Sequence, residues 1–200
     1  MQTKNKQIKI NTVSILDLLP NKNKLKMIVA IFLPSIFAAT NLIVNGGFEN
    51  AVSHEQSCGA WCHSSNALLI APWTFSGQSS YELNFGVWPA YGGKVSMDLS
   101  STGPVTISQV VPTTLGKRYV VSFQLNDNSC NSPETYRTGS IVATGATPLS
   151  FGHKGGFQSP NPSNWTEVKY YFFATRAMTT VSISSTDASS CGNPNPLISI

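Results

Sequence analysis

This sequence has little charge. Only 11% of its 200 residues are Asp, Glu, Lys or Arg. The formal net charge of +4 looks basic, but six of the thirteen bases (Lys4, Lys6, Lys9, Lys22, Lys24, Lys26) precede residue 27. From Asn41 onward seven bases stand against eight acids, 7 − 8 = −1. Nucleic-acid binding needs clustered Lys and Arg on the folded part of a chain, so nucleic acid is excluded as a partner. No apolar run reaches the about 20 residues that cross a bilayer as a helix, and no membrane span is read. No segment keeps a 3.6-residue apolar period, which excludes a helical fold. The motifs G-x-S-x-G and H-E-x-x-H and the P-loop are all missing. Nothing in the spacing of the acids suggests the facing carboxylates of a glycosidase. The expectation is a protein that is not an enzyme, with no catalytic residues.

What is present is Ser, Thr and Asn in quantity, with fifteen Gly and twelve Pro. That mixture suits a β-rich secreted protein. Met27 to Ala39, "MIVAIFLPSIFAA", follows a Lys-rich stretch and has the length and flanks of a secretory h-region, with small residues at Ala38, Ala39 and Thr40 for cleavage. Residues 1–40 are therefore read as basic leader plus signal peptide, with little structure expected there. The mature domain runs from about Asn41 to residue 200. All four cysteines (Cys58, Cys62, Cys130, Cys191) lie beyond the leader, and an even count in an oxidising compartment implies two disulfides. Sequence alone allows three connectivities. A local Cys58–Cys62 clip with a long Cys130–Cys191 staple is favoured over zinc ligation by Cys58, Cys62 and their His neighbours.

Strand signals after Asn41 are short and frequent. "RYVVSFQLN" sets Tyr119, Val121, Phe123 and Leu125 against Val120, Ser122, Gln124 and Asn126, and "KVSMDLS" sets Val95, Met97 and Leu99 against Ser96 and Asp98. "WTEVKYYFFA" and "MTTVSISS" read as a paired hairpin turning at Thr175 and Arg176. Further strands are expected at Leu42 to Val44, Ala71 to Phe75, Val105 to Val111, Arg137 to Val142 and Leu197 to Ile200. About eight to ten strands punctuated by Gly and Pro make an all-β sandwich or barrel. In "NLIVNGGFEN" the first strand gives way to an Asn45-Gly46-Gly47 turn needing positive φ. Phe48 re-enters the core and Glu49 points at a polar group.

That stretch, followed by "APWTFSGQSSYE", "GGKVSMDLSSTGPVTISQVVPTTLGKRYVVSFQLNDNSC", "NWTEVKYYFFAT" and "SSCG", resembles secreted galactose-binding-like domains. These include the plant cell-wall family filed as domain of unknown function 642 and the bacterial choice-of-anchor C domains. The resemblance covers most of residues 41 to 192. It implies a jelly-roll β-sandwich related to carbohydrate-binding modules, secreted and extracellular or cell-wall associated. It supports a Cys130–Cys191 bridge, because relatives carry a Cys at each position. Two stretches depart from it: Ser199 stands where relatives place an Asp, and "HEQSCGAWCHSSNALLI" matches nothing in the family.

The partner expected is a polysaccharide or glycan, with an extracellular protein partner as the alternative. Sugar recognition needs exposed rings beside amides, carboxylates or guanidinium groups. Trp88 and Tyr91, in the Gly- and Pro-bounded "NFGVWPAYGG", and Tyr81 are the candidate rings, while Trp73 and Trp165 read as core. Glu82, Asn84 and Arg137, with Asn126 and Asp127, are the candidate polar partners. No cofactor is required. The resemblance does offer a structural calcium site through a carboxylate such as Glu49, with Asp98 the other candidate; the competing reading is a Glu49 satisfied by backbone amides. Asn164-Trp165-Thr166 is an N-glycosylation acceptor.

Overall fold

The computed structural model describes residues 11–12, 40–54, 61–64, 67–77, 81–86, 90–100, 103–128, 136–154, 165–187 and 195–199. They form twelve strands: β1 (Asn11–Thr12), β2 (Trp61–Ser64), β3 (Thr74–Gly77), β4 (Tyr81–Asn84), β5 (Ser96–Asp98), β6 (Val105–Pro112), β7 (Arg118–Asn128), β8 (Tyr136–Ala143), β9 (Leu149–Lys154), β10 (Thr166–Phe173), β11 (Met178–Ser185) and β12 (Asn195–Ser199). The helical elements among the described residues are two 3-10 turns, Glu49–His54 and Ala67–Ile70. No described helix is long and apolar enough to cross a membrane.

The strands make a jelly-roll sandwich of two antiparallel sheets. One has seven strands, in the order β1-β7-β12-β5-β4-β2 with β10 also on β7. Because β10 pairs Arg118 to Leu125 of β7 along one edge, β12 and the short β1 share the other. The second sheet has five strands, β3-β6-β11-β8-β9. Between them lies one core built from alternate residues, among them Leu83, Met97, Ile107, Leu125 and Ile141, all 0% exposed.

The period-2 reading of β7 holds: Tyr119, Val121, Phe123 and Leu125 all enter the core. β6, β8 and β11 alternate as cleanly, with burial on one face only. The opening motif folds into a clamp. Positive φ falls on Asn45 (51°) and Phe48 (57°) and not on the two glycines between them. Asn tolerates that region readily, and Phe48 is held there by complete burial and its ring contact with Trp73 at 6.1 Å. The Asn45 carbonyl accepts from Phe48 N (3.2 Å) and Trp73 Nε1 (3.1 Å), while Asn45 Nδ2 donates to the Ala71 carbonyl (3.0 Å).

Several expectations are corrected. Leu42 to Val44 is not a strand. The Gln109 carboxamide serves it instead, accepting from Val44 N and donating to Val44 O, both at 2.9 Å, so a side chain replaces the ladder. β10 and β11 do not pair with each other: β10 joins β7, and β11 lies between β6 and β8 in the other sheet. Their connection, Ala174 to Ala177, crosses between the sheets, tied down by Gly116 N to Ala174 O (2.7 Å) and Thr113 N to Ala177 O (2.8 Å). Alternation in a sequence marks a strand but carries no information about which sheet receives it. The unmatched stretch around Cys62 contributes β2, paired with β4.

Candidate functional site

The two outer faces of the sandwich differ in chemistry. On the five-stranded sheet, hydroxyls satisfy one another across strands: Thr106 with Ser184 at 2.8 Å, Ser108 with Ser182 at 2.9 Å and Thr138 with Thr186 at 2.7 Å.

The seven-stranded sheet carries amides and carboxylates on its outer face, and several of them are buried. Cross-strand register puts Glu82 opposite Asp98, Asp98 opposite Leu197, and Leu197 opposite Asn126. Beside this row Asn84 lies opposite Ser96. Tyr81, Leu83, Met97 and Leu125 occupy the alternate positions and enter the core, so Glu82, Asn84, Ser96, Asp98 and Asn126 all point away from it. Even so, Asn84, Ser96 and Asp98 are 0% exposed and Asn126 1%. Asp98 Oδ1 accepts from Ser100 N at 2.6 Å. Asn84 has no hydrogen-bond partner at either Nδ2 or Oδ1. A buried amide left so costs about 1–3 kcal/mol, and such a group calls for an explanation.

An aromatic pair borders this row. Trp165 lies one residue before the Thr166–Leu125 pair, at the position that continues the ladder beside Asn126. Its ring is half-buried, and its Nε1 is buried without a hydrogen-bond partner. The connection from β4 to β5 turns back far enough to set Tyr91 edge-on to Trp165, ring centroids 6.2 Å apart. Tyr91 is 37% exposed and Glu82 half-buried. Rings and carboxylate therefore form the accessible rim, and the amides and Asp98 the floor.

Glu49 fixes the far end of that connection. Its Oε1 accepts from Lys94 N (2.8 Å) and Val95 N (3.2 Å). Gly93, at φ +78°, permits the approach, since a Cβ there would run into Glu49 Oε1. The carboxylate thus performs the backbone-capping role weighed against calcium. Among the described residues no group of three or more His, Cys, Asp or Glu gathers as metal ligands.

Of the expected site residues, the fold brings together Glu82, Asn84, Asp98 and Tyr91. Tyr81 is fully buried, edge-on to Phe75 at 5.2 Å, because its parity on β4 is that of Leu83. Arg137 is also absent from the face. It lies on β8 in the other sheet, 5% exposed and opposite His153 on β9. His153 Nδ1 is 3.1 Å from Thr166 Oγ1, and burial pushes its pKa below the ordinary histidine value. Cys62 is disulfide-bonded, which removes a thiolate that zinc would need. Trp88, Asn164, Cys58, Cys130 and Cys191 lie outside the described residues. Sequence reasoning assigned Trp165 to the core and weighed Asp98 only as a calcium ligand. The available signal was parity: Ser96 and Asp98 alternate with the core residues Val95, Met97 and Leu99, in phase with Glu82 and Asn84 on β4.

No curated protein matches the chain in sequence. Among solved structures, the carbohydrate-binding module TmCBM61, in complex with β-1,4-galactotriose, superposes with a TM-score of 0.51 at 12% identity, covering 80% of this chain and 95% of that one. A family 35 carbohydrate-binding module from Clostridium thermocellum matches at TM-score 0.43 and 11% identity, over 70% of this chain and 98% of its own. CBM35 from Paenibacillus barcinonensis matches at 0.42 and 15%, over 70% and 96%. Residues 41–199 match the family described as Protein of unknown function (DUF642), and the chain belongs to that family.

Proposed function

We propose that this member of the DUF642 family is a secreted, non-catalytic carbohydrate-binding protein of the cell wall or extracellular matrix. Its glycan-binding surface is the outer face of the seven-stranded sheet. The observation that carries the reading is the Asn84 carboxamide, buried and unpartnered beside two carboxylates and an aromatic pair. Rings stack on the apolar faces of sugars while fixed amides and carboxylates satisfy their hydroxyls. Trp88 sits in the same connection as Tyr91 and joins the proposed platform. The resemblance in fold to TmCBM61, whose structure holds β-1,4-galactotriose, agrees with this reading. The staple pairs Cys58 with Cys62 and Cys130 with Cys191. A single shallow site of this kind binds with Kd of about 10 μM to 1 mM, so firm attachment comes from avidity.

The test is retention of the oxidised protein on insoluble polysaccharides and oligosaccharide arrays, with Ca²⁺ and with chelator. Retention that Tyr91→Ala, Trp88→Ala or Trp165→Ala abolishes, with folding intact, is the expected outcome. Dependence on Ca²⁺ lost in Glu49→Gln would give Glu49 a metal as well as two amides. A folded, monodisperse protein that binds no glycan would leave the protein-partner reading in its place.

A further inference from the structure

Independently of the glycan reading, we propose that one end of the sandwich is a docking tip for an anionic lipid surface. Three connections meet there, residues 113–117, 144–148 and 174–177. They are fastened by the Gly116–Ala174 and Thr113–Ala177 bonds and by Thr175 Oγ1 donating to Thr144 O at 3.2 Å. Counted with the strand ends beside them, residues 110–118, 143–149 and 171–178 contain Lys117, Arg118 and Arg176 and no Asp or Glu. Three of the seven bases beyond residue 40 thus gather at one end of a domain whose net charge is −1. The same end carries exposed apolar groups. Leu115 in the turn is 70% exposed, Phe173 59% and Met178 52%. Phe173 lies on the outer face of the seven-stranded sheet and Met178 on that of the five-stranded sheet, so they flank Leu115 from two sides.

Clustered exposed apolar groups mark an interaction surface, and the charge beside them decides its occupant. Among the described residues none of the three bases pairs with an acid; the ion pair of β10, Lys169 with Glu167, lies further along the strand. Arg118 rests its guanidinium over the Tyr171 ring, 4.6 Å from the centroid, which keeps it beside its cross-strand partner Phe173. A planar guanidinium matches phosphate and carboxylate oxygens two at a time. Leu115 and Met178 offer no ring plane for a sugar to stack on. An aliphatic tip ringed by bases suits the boundary of a bilayer, where apolar side chains enter the acyl layer and Lys and Arg stay among anionic headgroups. Trp165, in the glycan rim, precedes Phe173 by eight residues of extended chain, about 26 Å, so a docked tip leaves that rim open.

The experiment is co-sedimentation of the full-length oxidised protein with vesicles of phosphatidylcholine alone and of phosphatidylcholine and phosphatidylserine in equal parts, at low and at raised salt. Residues 1–40 carry an apolar run and six Lys of their own, so the readout is the difference between the parent and its tip variants. The parent is expected to bind the anionic vesicles about tenfold or more tightly than the neutral ones, with the gap narrowing as salt rises. Lys117→Gln and Arg176→Gln should each weaken that binding about fivefold, and Leu115→Ser severalfold. Melting temperatures should hold, because all three side chains are exposed. In Leu115→Trp the added indole should shift its emission to the blue on anionic vesicles, a signal the leader cannot supply. Tip variants that bind as the parent does, or an indole whose emission stays put, would overturn the proposal. So would capture of polygalacturonate that needs the bases and ignores Leu115→Ser, which would give the tip an acidic polysaccharide in place of lipid.

Discussion

The two outer faces of this sandwich start from the same alternating pattern and end differently. On the five-stranded sheet the outward polar residues include Ser and Thr, short enough to pair across strands at 2.7–2.9 Å, beside exposed Val110 and Met178. On the seven-stranded sheet they include Asn, Asp and Glu, with exposed Tyr171 and Phe173 on β10, and one, Asn84, is closed off from water with nothing to bond. A face whose polar groups satisfy each other has nothing left to offer a ligand. A face that holds unmet donors and acceptors at a cost of about 1–3 kcal/mol each has a use for them. That difference is what the proposed glycan surface rests on.

The comparison can be broken at the connection that borders the functional face. Gly93→Ala puts a Cβ against Glu49 Oε1, displacing the carboxylate from its two amides, at a φ of +78° that strains any L side chain, with an expected loss of about 2–3 kcal/mol. Chemical denaturation would register it as a lower midpoint at unchanged slope.

Next in size is Tyr91→Ala, which removes the exposed ring of the rim. Affinity for the best oligosaccharide should fall about tenfold, about 1.4 kcal/mol, while the melting temperature moves little because the ring is 37% exposed. A collapse of stability instead would make Tyr91 a packing residue.

Smaller again is the effect on the opposite face. Replacing Ser108 and Ser182 together by Ala deletes one hydroxyl pair and leaves no orphan. A stability change within about 1 kcal/mol and unaltered glycan binding are expected. A loss of binding there would erase the distinction between the faces.

The smallest prediction concerns pH. Burial lowers the pKa of His153 in the folded state, so the unfolded chain binds more protons and stability falls as pH drops through the ordinary histidine value of about 6.5. His153→Gln should flatten the dependence of melting temperature on pH between about 5 and 7.

How far the sequence foretold this depends on which forces each residue answers to. β6, β7, β8 and β11 were legible because one face of each meets the core, and period 2 records that directly. The partnering of β10 and β11 was not, since sheet assignment is decided by the crossing at Ala174–Ala177 and leaves no periodic trace. Leu42 to Val44 has the composition of a strand, but the amide that satisfies it comes from Gln109, sixty-five residues later. The site was half legible. Glu82, Asn84 and Tyr91 stood close in sequence and were picked together. Tyr81 was misplaced by one step of parity. Trp165 and Asp98 reach the face only through register across β7, β12 and β5, which no local reading contains. Arg137 was drawn in by chemistry alone, and the fold sends it to the other sheet.

The most direct test is Asn84→Leu, a near-isosteric exchange on the floor of the face, with melting temperature and oligosaccharide affinity measured on the same sample. If Asn84 is kept unpartnered for a ligand, the variant melts at the same temperature or higher and loses glycan binding. A variant that melts lower and still binds sugar as the parent does would contradict the assignment of this face.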